Sequence, residues 1–326
     1  MTLGRCGASR LMSACAVCLA LLMAEAVSAQ TPGQLRGRCV ELGGNLNRCT
    51  DVAVGARTLT GEGSLLVGWG SEIAGSSSTL GRRIGNQPRF TAAFRAGGMS
   101  VGMPDIFDQG PGRAPEVSFM VPSLNLAVAA GILDGFSPLA TVGGVFSLDV
   151  FGSAGLVMPP SSQGFQGNVT GASVGVRVGL LRESFTLPGV SVSVARRFVG
   201  SFEMGDPSLG DPARLEVDPA VTSLRATVGK DLFGLGVLAG VGWEDAAADA
   251  VLEVPGAGGE SVRVSSSVDA ERKLYFVGAA LNFLLLQLSV EGGWADGYAP
   301  VPGGAGSTFD PEEGTPFGSL SLRFTP

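Results

Sequence analysis

The most informative segment of the chain is Phe317-Gly318-Ser319-Leu320-Ser321-Leu322-Arg323-Phe324, followed by Thr325 and Pro326. Apolar and polar side chains alternate along it: one face carries Leu320, Leu322 and Phe324, and the other carries Ser319, Ser321 and Arg323. In an extended chain, successive side chains point to opposite faces. The alternation therefore predicts a β-strand whose two faces meet different surroundings.

This strand resembles the C-terminal assembly signal of bacterial outer-membrane β-barrel proteins, in which an apolar face ends in an aromatic residue. The residues that carry the resemblance are Phe317, Leu320, Leu322 and Phe324. The departure is that Thr325 and Pro326 follow the aromatic residue, which usually stands last. The resemblance implies a transmembrane barrel in the outer membrane of a Gram-negative bacterium. It also implies lipid, lipopolysaccharide and the barrel-assembly machinery as partners, and it names no narrower family.

The same alternation recurs along the chain, near residues 89–95, 123–128, 146–150, 172–180, 223–229, 237–244 and 286–294. The second faces of these segments carry Gly, Ser and isolated Arg. Water-facing strands of a soluble sandwich usually carry more Lys, Glu and Thr, whereas small side chains suit a crowded lumen. We therefore predict an all-β, transmembrane, antiparallel up-and-down barrel, with a soluble β-sandwich as the alternative.

Counting from Pro88 predicts ten strands, at residues 88–102, 116–131, 140–157, 168–182, 189–204, 213–231, 236–253, 262–283, 285–296 and 316–325. Short turn sequences alternate with longer Gly/Pro-rich stretches, as periplasmic turns alternate with extracellular loops. Residues 282–287 contain no Gly or Pro to make a turn. If they continued a single strand, residues 59–69 would have to supply the tenth, and eight to twelve strands remain open.

Composition is consistent with a barrel. The chain is 45% hydrophobic and only 16% charged, yet no run approaches the ~20 apolar residues that a membrane helix needs. Such a chain must bury its apolar surface or present it to lipid as alternating strands. The net charge of −7 argues against nucleic acid as a partner. We expect a monomer in contact with membrane lipid.

Residues 1–29 have the pattern of a secretory signal peptide. Arg5 and Arg10 precede an apolar stretch at residues 11–23, and Val27-Ser28-Ala29 matches a cleavage site. Of the five cysteines, only Cys39 and Cys49 remain after cleavage. An even pair in an exported protein predicts a disulfide. A zinc site is the alternative, but two thiols in a chain without histidine cannot complete a usual zinc shell.

The mature chain divides into an N-terminal segment, residues 30–87, and the barrel, residues 88–326. The N-terminal segment does not alternate, and residues 39–56 are compatible with one or two short helices that later glycines would interrupt. It could be a plug inside the barrel, a periplasmic cap, or a leader pinned by the disulfide. The plug arrangement resembles the layout of the fatty-acid transporter family of outer-membrane barrels, although that family has more strands and no motif is shared.

The absence of histidine removes Ser-His nucleophilic pairs, histidine general bases and most transition-metal sites. Acidic residues, including Glu244, Asp245 and Asp249, are expected mainly in loops where they are solvated. We therefore predict no enzymatic activity, no cofactor and no metal site.

The strand phases point seven charged side chains inward: Arg89, Arg95, Asp149, Arg177, Arg225, Glu291 and Arg323. These charges could pair within a packed interior, or they could form a net positive lining that favours anions. Aromatic residues near strand ends, namely Trp243, Tyr275 and Trp294, predict an interfacial girdle. The first functional hypothesis is a porin-like channel or transporter for small or amphipathic solutes. The alternative is a closed structural or adhesion barrel that acts through its extracellular loops.

Overall fold

The structure is a computed structural model, and it describes residues 31–82, 87–110, 112–138, 143–256, 258–301 and 307–326. The predicted signal peptide, residues 1–29, lies outside the described residues. Two helices, α1 (Pro32–Glu41) and α2 (Leu46–Val67), precede the strands. Neither helix is long and apolar enough to cross a membrane.

Eleven strands follow the helices in the described chain: β1 (Arg89–Pro104), β2 (Glu116–Leu133), β3 (Ser147–Val157), β4 (Val169–Leu181), β5 (Gly189–Val199), β6 (Phe202–Met204), β7 (Arg214–Leu232), β8 (Leu235–Pro255), β9 (Ser261–Phe283), β10 (Leu286–Ala295) and β11 (Thr315–Phe324). Apart from β6, sequential strands pair antiparallel, β1 pairs with β11, and β5 pairs directly with β7. Short β6 only extends the edge of β7. The prediction of a closed ten-stranded antiparallel barrel is confirmed.

The two ends of the barrel differ. At one end, which we call the turn end, β1 begins and β11 ends, and the shortest connections are Phe233-Gly234 and Leu284-Leu285. At the other end, which we call the loop end, the connections include the long stretches 105–115, 200–213 and 296–314. Because every strand runs antiparallel to its neighbours, successive connections lie at alternate ends of the barrel. Both two-residue turns are at the turn end, together with the connections 134–146 and 182–188.

The connection between β9 and β10 is a two-residue turn, although it contains neither Gly nor Pro. Phe283 pairs with Leu286, and Leu284 adopts a φ of 51°, a left-handed conformation that non-glycine residues rarely adopt. The alternative of one long strand, with residues 59–69 as the tenth, is therefore wrong. Residues 59–67 belong to α2.

The helices form a short hairpin. Pro32 occupies the first turn of α1, where its fixed φ suits a helix start. Asn45 caps α2, since its side-chain oxygen accepts from the backbone N–H of Asn47 at 2.9 Å. A disulfide joins Cys39 to Cys49, so the first turns of α2 are covalently tied to α1.

The expectation that glycines would interrupt any long helix is wrong, because α2 passes through Gly55, Gly61 and Gly63 to Val67. These glycines lie where the barrel wall approaches the helix closely. A Cβ on Gly63 would lie 2.5 Å from the Phe202 ring, and one on Gly61 would overlap the Tyr298 hydroxyl. The surrounding wall thus overrides the low helix propensity of glycine.

Candidate functional site: the plugged barrel interior

The outward-facing side of the barrel is apolar from the turn end to a ring of aromatic residues. Trp243, Tyr275 and Trp294 are 49%, 46% and 44% exposed, and Tyr275 pairs directly with Trp294. Along β9, the outward residues from Phe283 to Tyr275 cover about 20 Å of height at ~3.4 Å per residue and a ~40° tilt. That height fits the apolar band of an outer-membrane barrel.

The outward face changes character beyond this ring. On β8, the outward residue after Trp243 is the exposed Asp245, and on β9 the exposed Lys273 and Glu271 follow Tyr275. Aromatic side chains with charged neighbours on one side and apolar ones on the other are typical of a membrane–water interface. Trp243, Tyr275 and Trp294 lie where apolar outward residues give way to charged ones, on the loop-end side of the apolar belt, and we call these three residues the girdle.

The interior is occupied by the chain's own N-terminal segment. Near the loop end, Asp51 of α2 forms an ion pair with Arg113 at 2.5 Å. Lower down, the Asn125 amide donates to the Val67 carbonyl at 3.1 Å. At the turn end, the backbone N–H of Arg82 donates to Asp134 at 2.7 Å. The segment thus spans the barrel, and we call α2 together with residues 68–82 the plug.

A balanced cluster of ion pairs joins the plug to the wall. Glu72 of the plug accepts from Arg197 at 2.5 Å. On the wall, Glu244 accepts from Arg197 at 2.7 Å and from Arg225 at 2.8 Å. Arg272 lies 3.2 Å from Glu244 and 3.1 Å from Glu62 of the plug. Three carboxylates and three guanidiniums are therefore buried together, which offsets much of the cost of desolvating each charge.

Arginines of the wall also donate hydrogen bonds to backbone carbonyls of the plug beyond the end of α2. Arg225 donates to the carbonyls of Gly68 at 2.6 Å and Trp69 at 3.0 Å. Arg95 donates to the carbonyls of Trp69 at 2.7 Å and Ser71 at 2.9 Å. Buried carbonyls without secondary structure need partners of this kind, so these wall arginines fix the path of the segment.

Glu291 anchors the middle of the extended part of the plug. It accepts from the backbone N–H groups of Ser71 and Gly75, each at 2.9 Å, and from the Ser71 hydroxyl. The Arg95 guanidinium lies 3.6 Å from the same carboxylate. Gly75 approaches the wall closely with a φ of +63°, a conformation that glycine adopts without strain.

Asp149 and Arg177 form the lowest anchor. Asp149 accepts from the backbone N–H of Leu80 at 3.0 Å and from Arg177 at 2.7 Å. Arg177 donates in turn to the carbonyls of Ser76 at 3.1 Å and Ser78 at 2.7 Å. Charged wall residues therefore hold the plug at three successive heights.

The sequence-predicted interior residues separate into two groups. Five are buried and contact the plug: Arg95, Asp149, Arg177, Arg225 and Glu291. Arg89 is exposed at the first position of β1, at the turn-end rim. Arg323 is partly exposed, and its Nε and Nη1 atoms have no hydrogen-bond partner among the described residues.

The four residues predicted to form a C-terminal assembly signal do not share one face. Leu320, Leu322 and Phe324 are exposed on the lipid side. Phe317 is buried on the inner side, where its ring centroid lies 6.0 Å from that of Trp69 in the plug. Phe317 therefore packs against the plug in the folded barrel.

The acidic residues of β8 satisfy only one of two predictions. The expectation that Glu244, Asp245 and Asp249 lie in a loop is wrong, because all three lie in β8, with Glu244 inward and the other two outward. The alternation at residues 237–244, which sets Glu244 on the same face as Gly240 and Gly242, gives its inward position. The sequence analysis missed Arg197, Arg272, Glu62 and Glu72. Arg272 lies between inward Ala270 and Leu274, so no polar alternation marked it.

The described residues contain no group of three His, Cys, Asp or Glu side chains placed to hold a metal ion. Each carboxylate of the ion-pair cluster is matched by guanidinium groups. The arrangement is therefore suited to holding a polypeptide segment in place.

No protein-family model and no curated protein matches the sequence. Among solved structures, the chain is similar to the translocator domain of autotransporter NalP from Neisseria meningitidis, with 13% identity, a TM-score of 0.33, and 73% of this chain and 88% of that chain covered. It is also similar to the outer membrane protease OmpT from Escherichia coli, with 10% identity, a TM-score of 0.37, and coverage of 77% and 100%. Likenesses this distant carry no conclusion about what this chain does.

The location follows from the barrel itself. All strands are paired into a closed cylinder, the outer face carries an apolar belt, and an aromatic girdle borders that belt. Closure gives the backbone N–H and C=O groups of every barrel strand a hydrogen-bond partner within the hydrocarbon, whereas an open sheet would leave its edge strands unpaired. The protein is a bacterial outer-membrane β-barrel.

Proposed function

We propose that this protein is a closed outer-membrane barrel that acts through the structures at its loop end, and that its lumen conducts no solute while the plug is seated. The observation that carries the proposal is the plug itself. It is held by Glu244 and its arginines, by Glu291, and by Asp149 with Arg177. Breaking any one of these buried groups of ion pairs leaves uncompensated charge in the interior.

The loop end has exposed apolar side chains that other molecules could contact. The hairpin of α1 and α2 exposes Leu42 and Leu46, and the 200–213 connection exposes Leu209. The disulfide between Cys39 and Cys49 fixes the hairpin. These exposed leucines are the apolar side chains through which a structural or adhesive contact at the loop end would be made.

A channel or transporter for small or amphipathic solutes would require the plug to leave. The inner wall would then present five buried arginines, Arg95, Arg177, Arg197, Arg225 and Arg272, against three carboxylates, Asp149, Glu244 and Glu291. A net positive lining favours anions. Conductance and ion selectivity therefore separate the two hypotheses.

The test is planar-bilayer recording of the purified barrel. We expect no conductance steps from the wild type, and anion-selective steps from a variant that lacks residues 46–80. Heat-modifiable gel mobility verifies that each protein is folded. A Glu62→Gln/Glu72→Gln variant, which weakens the plug without deleting it, should give intermittent openings. Steady conductance through the wild type would overturn the proposal.

A further inference from the structure

The N-terminal hairpin and the start of the barrel lie at opposite ends of the molecule. Gly44, between α1 and α2, forms a bridge with Gly256 in the connection between β8 and β9. Arg48 donates to the carbonyl of Gly110 at 2.9 Å and lies 3.6 Å from Asp108. All three partners belong to loop-end connections, so the hairpin is anchored at the loop end.

The chain then descends through the barrel in one direction. Glu62 meets Arg272 at the level of the girdle, and Ser71 meets Glu291 below it. Arg82 reaches Asp134 at the turn end and bridges to Pro88, immediately before β1 begins. The polypeptide that precedes the barrel in sequence therefore passes through the lumen.

The orientation of the barrel determines on which side of the membrane each end of this path lies. Outer-membrane barrels place short turns in the periplasm and long loops outside the cell. The girdle of Trp243, Tyr275 and Trp294 borders the lipid-facing belt on its loop-end side, and β8 continues from Trp243 to Pro255. At ~3.4 Å per residue and a ~40° tilt, Pro255 stands about 30 Å beyond the girdle. The hairpin anchored beside it thus lies outside the membrane.

The hairpin is also built into the wall at the loop end. β10 ends at Ala295 and β11 begins at Thr315, while β9 extends far beyond them to Ser261. Helix α1 packs against β9 and α2, and Leu35 and Cys39 are fully buried there. This docking surface exists only on the loop-end side, so α1 reaches it only after crossing the membrane.

We propose that the barrel carries its own N-terminal polypeptide across the outer membrane, so that residues 31–45 lie on the cell surface and a peptide attached before Thr31 is displayed there. The cargo is this chain's own extended polypeptide. The proposal does not rest on the lumen being closed to solutes, because a threaded barrel could still leak ions.

The disulfide then retains the threaded segment. Two helices side by side measure about 20 Å across, twice the diameter of one helix. The lumen holds a single helix, α2, and below it the extended residues 68–82. In the folded protein Cys39 and Cys49 are joined, and the joined hairpin is too wide to pass back through the lumen as a unit. A double serine substitution at these positions leaves only noncovalent contacts to hold it outside.

The chain supplies its own controls for a labelling test, because it has two lysines. Lys273 is exposed above the girdle on the loop-end side, whereas Lys230 lies near the turn end, where it donates to the Phe185 carbonyl at 3.0 Å. Gln34 is exposed on α1. Intact cells that produce Gln34→Lys are treated with a membrane-impermeant amine reagent, and labelled peptides are identified by mass spectrometry.

We expect label on the new lysine at position 34 and on Lys273, and none on Lys230 until the membrane is permeabilised. A matched Phe185→Lys variant, at an exposed turn-end position, should behave as Lys230 does. Label at position 34 only after permeabilisation would overturn the proposal, as would label on Lys230 but not Lys273 in intact cells.

A second measurement uses an epitope inserted between Gln30 and Thr31, compared with one between Gly258 and Gly259 at the loop end. Antibody should bind both in intact cells, with heat-modifiable mobility as the check on folding. Loss of binding at the N-terminal epitope alone would contradict the proposal, whatever bilayer recordings show about conductance.

Discussion

The two halves of the barrel, divided at the girdle, have opposite polarity. Along β8 below the girdle, outward Val237 and Val241 are exposed to lipid, while inward positions include Gly240 and Gly242. Above the girdle, the outward face of β8 carries Asp245, Asp249 and Glu253 beside Ala247 and Val251. Its inward residues Ala248, Leu252 and Val254 belong to an apolar core. The same strand reverses its pattern at Glu244.

The reversal shows that alternation alone does not say which face is apolar. Hydrocarbon surrounds the lower half, so its polar side chains are inside and need partners there. Water surrounds the upper half, so the hydrophobic effect drives apolar side chains inward. The plug matches the interior of each half. Val52 and Leu59 of α2 are buried in the upper core, and residues 68–80 bind the charged wall of the lower half.

The largest effect is expected at the boundary between the halves. Glu244→Ala removes the carboxylate that Arg197, Arg225 and Arg272 share. Uncompensated buried charge should lower the free energy of unfolding by about 3–5 kcal/mol, measured by urea titration in detergent. Asp245→Ala, at the next and outward position, should stay within about 0.5 kcal/mol. Similar losses for the two variants would show that the pattern of β8 does not reverse at Glu244.

A smaller effect should distinguish the outward faces of the two halves. Val290 lies midway along the lipid-facing side of β10, and Ser265 faces outward on β9 above the girdle. Val290→Arg should cost about 2–4 kcal/mol near the membrane midplane, measured by unfolding in lipid vesicles. Ser265→Arg should be nearly neutral, because its side chain is in water. A substantial penalty at Ser265 would mean that the lipid belt extends higher.

The smallest effect concerns pH at the turn end. Burial raises the pKa of Glu183 above its ordinary value, although the Asp231 N–H bonded to its carboxylate and nearby Lys230 act in the opposite direction. A carboxyl with a raised pKa binds protons more tightly when folded, so its contribution to stability is lost as pH rises through the folded pKa. Between pH 4 and 7 the melting temperature should fall slightly more for the wild type than for Glu183→Gln. Parallel curves would contradict this assignment.

The alternation along the strands predicts Arg95, Asp149, Arg177, Arg225 and Glu291 on the inner face, and the structure buries all five. The alternation could not give their partners, because Arg225 binds carbonyls of residues 68–70, more than a hundred positions away in sequence. The partner of Phe317 could not be predicted from the sequence either. Its alternation was read correctly as strand, but its contact with Trp69 depends on where the plug lies.

The strands, the barrel, the lipid-facing belt and the Cys39–Cys49 pairing could be predicted from the sequence, because each depends on periodicity or on residues close in the chain. The uninterrupted helix through Gly61, the ion pairs across the lumen and the direction in which the N-terminal segment is threaded could not. Those features depend on closure of β1 against β11 and of β5 against β7. Closure creates one confined interior in which residues far apart in sequence must satisfy one another's charges and hydrogen bonds.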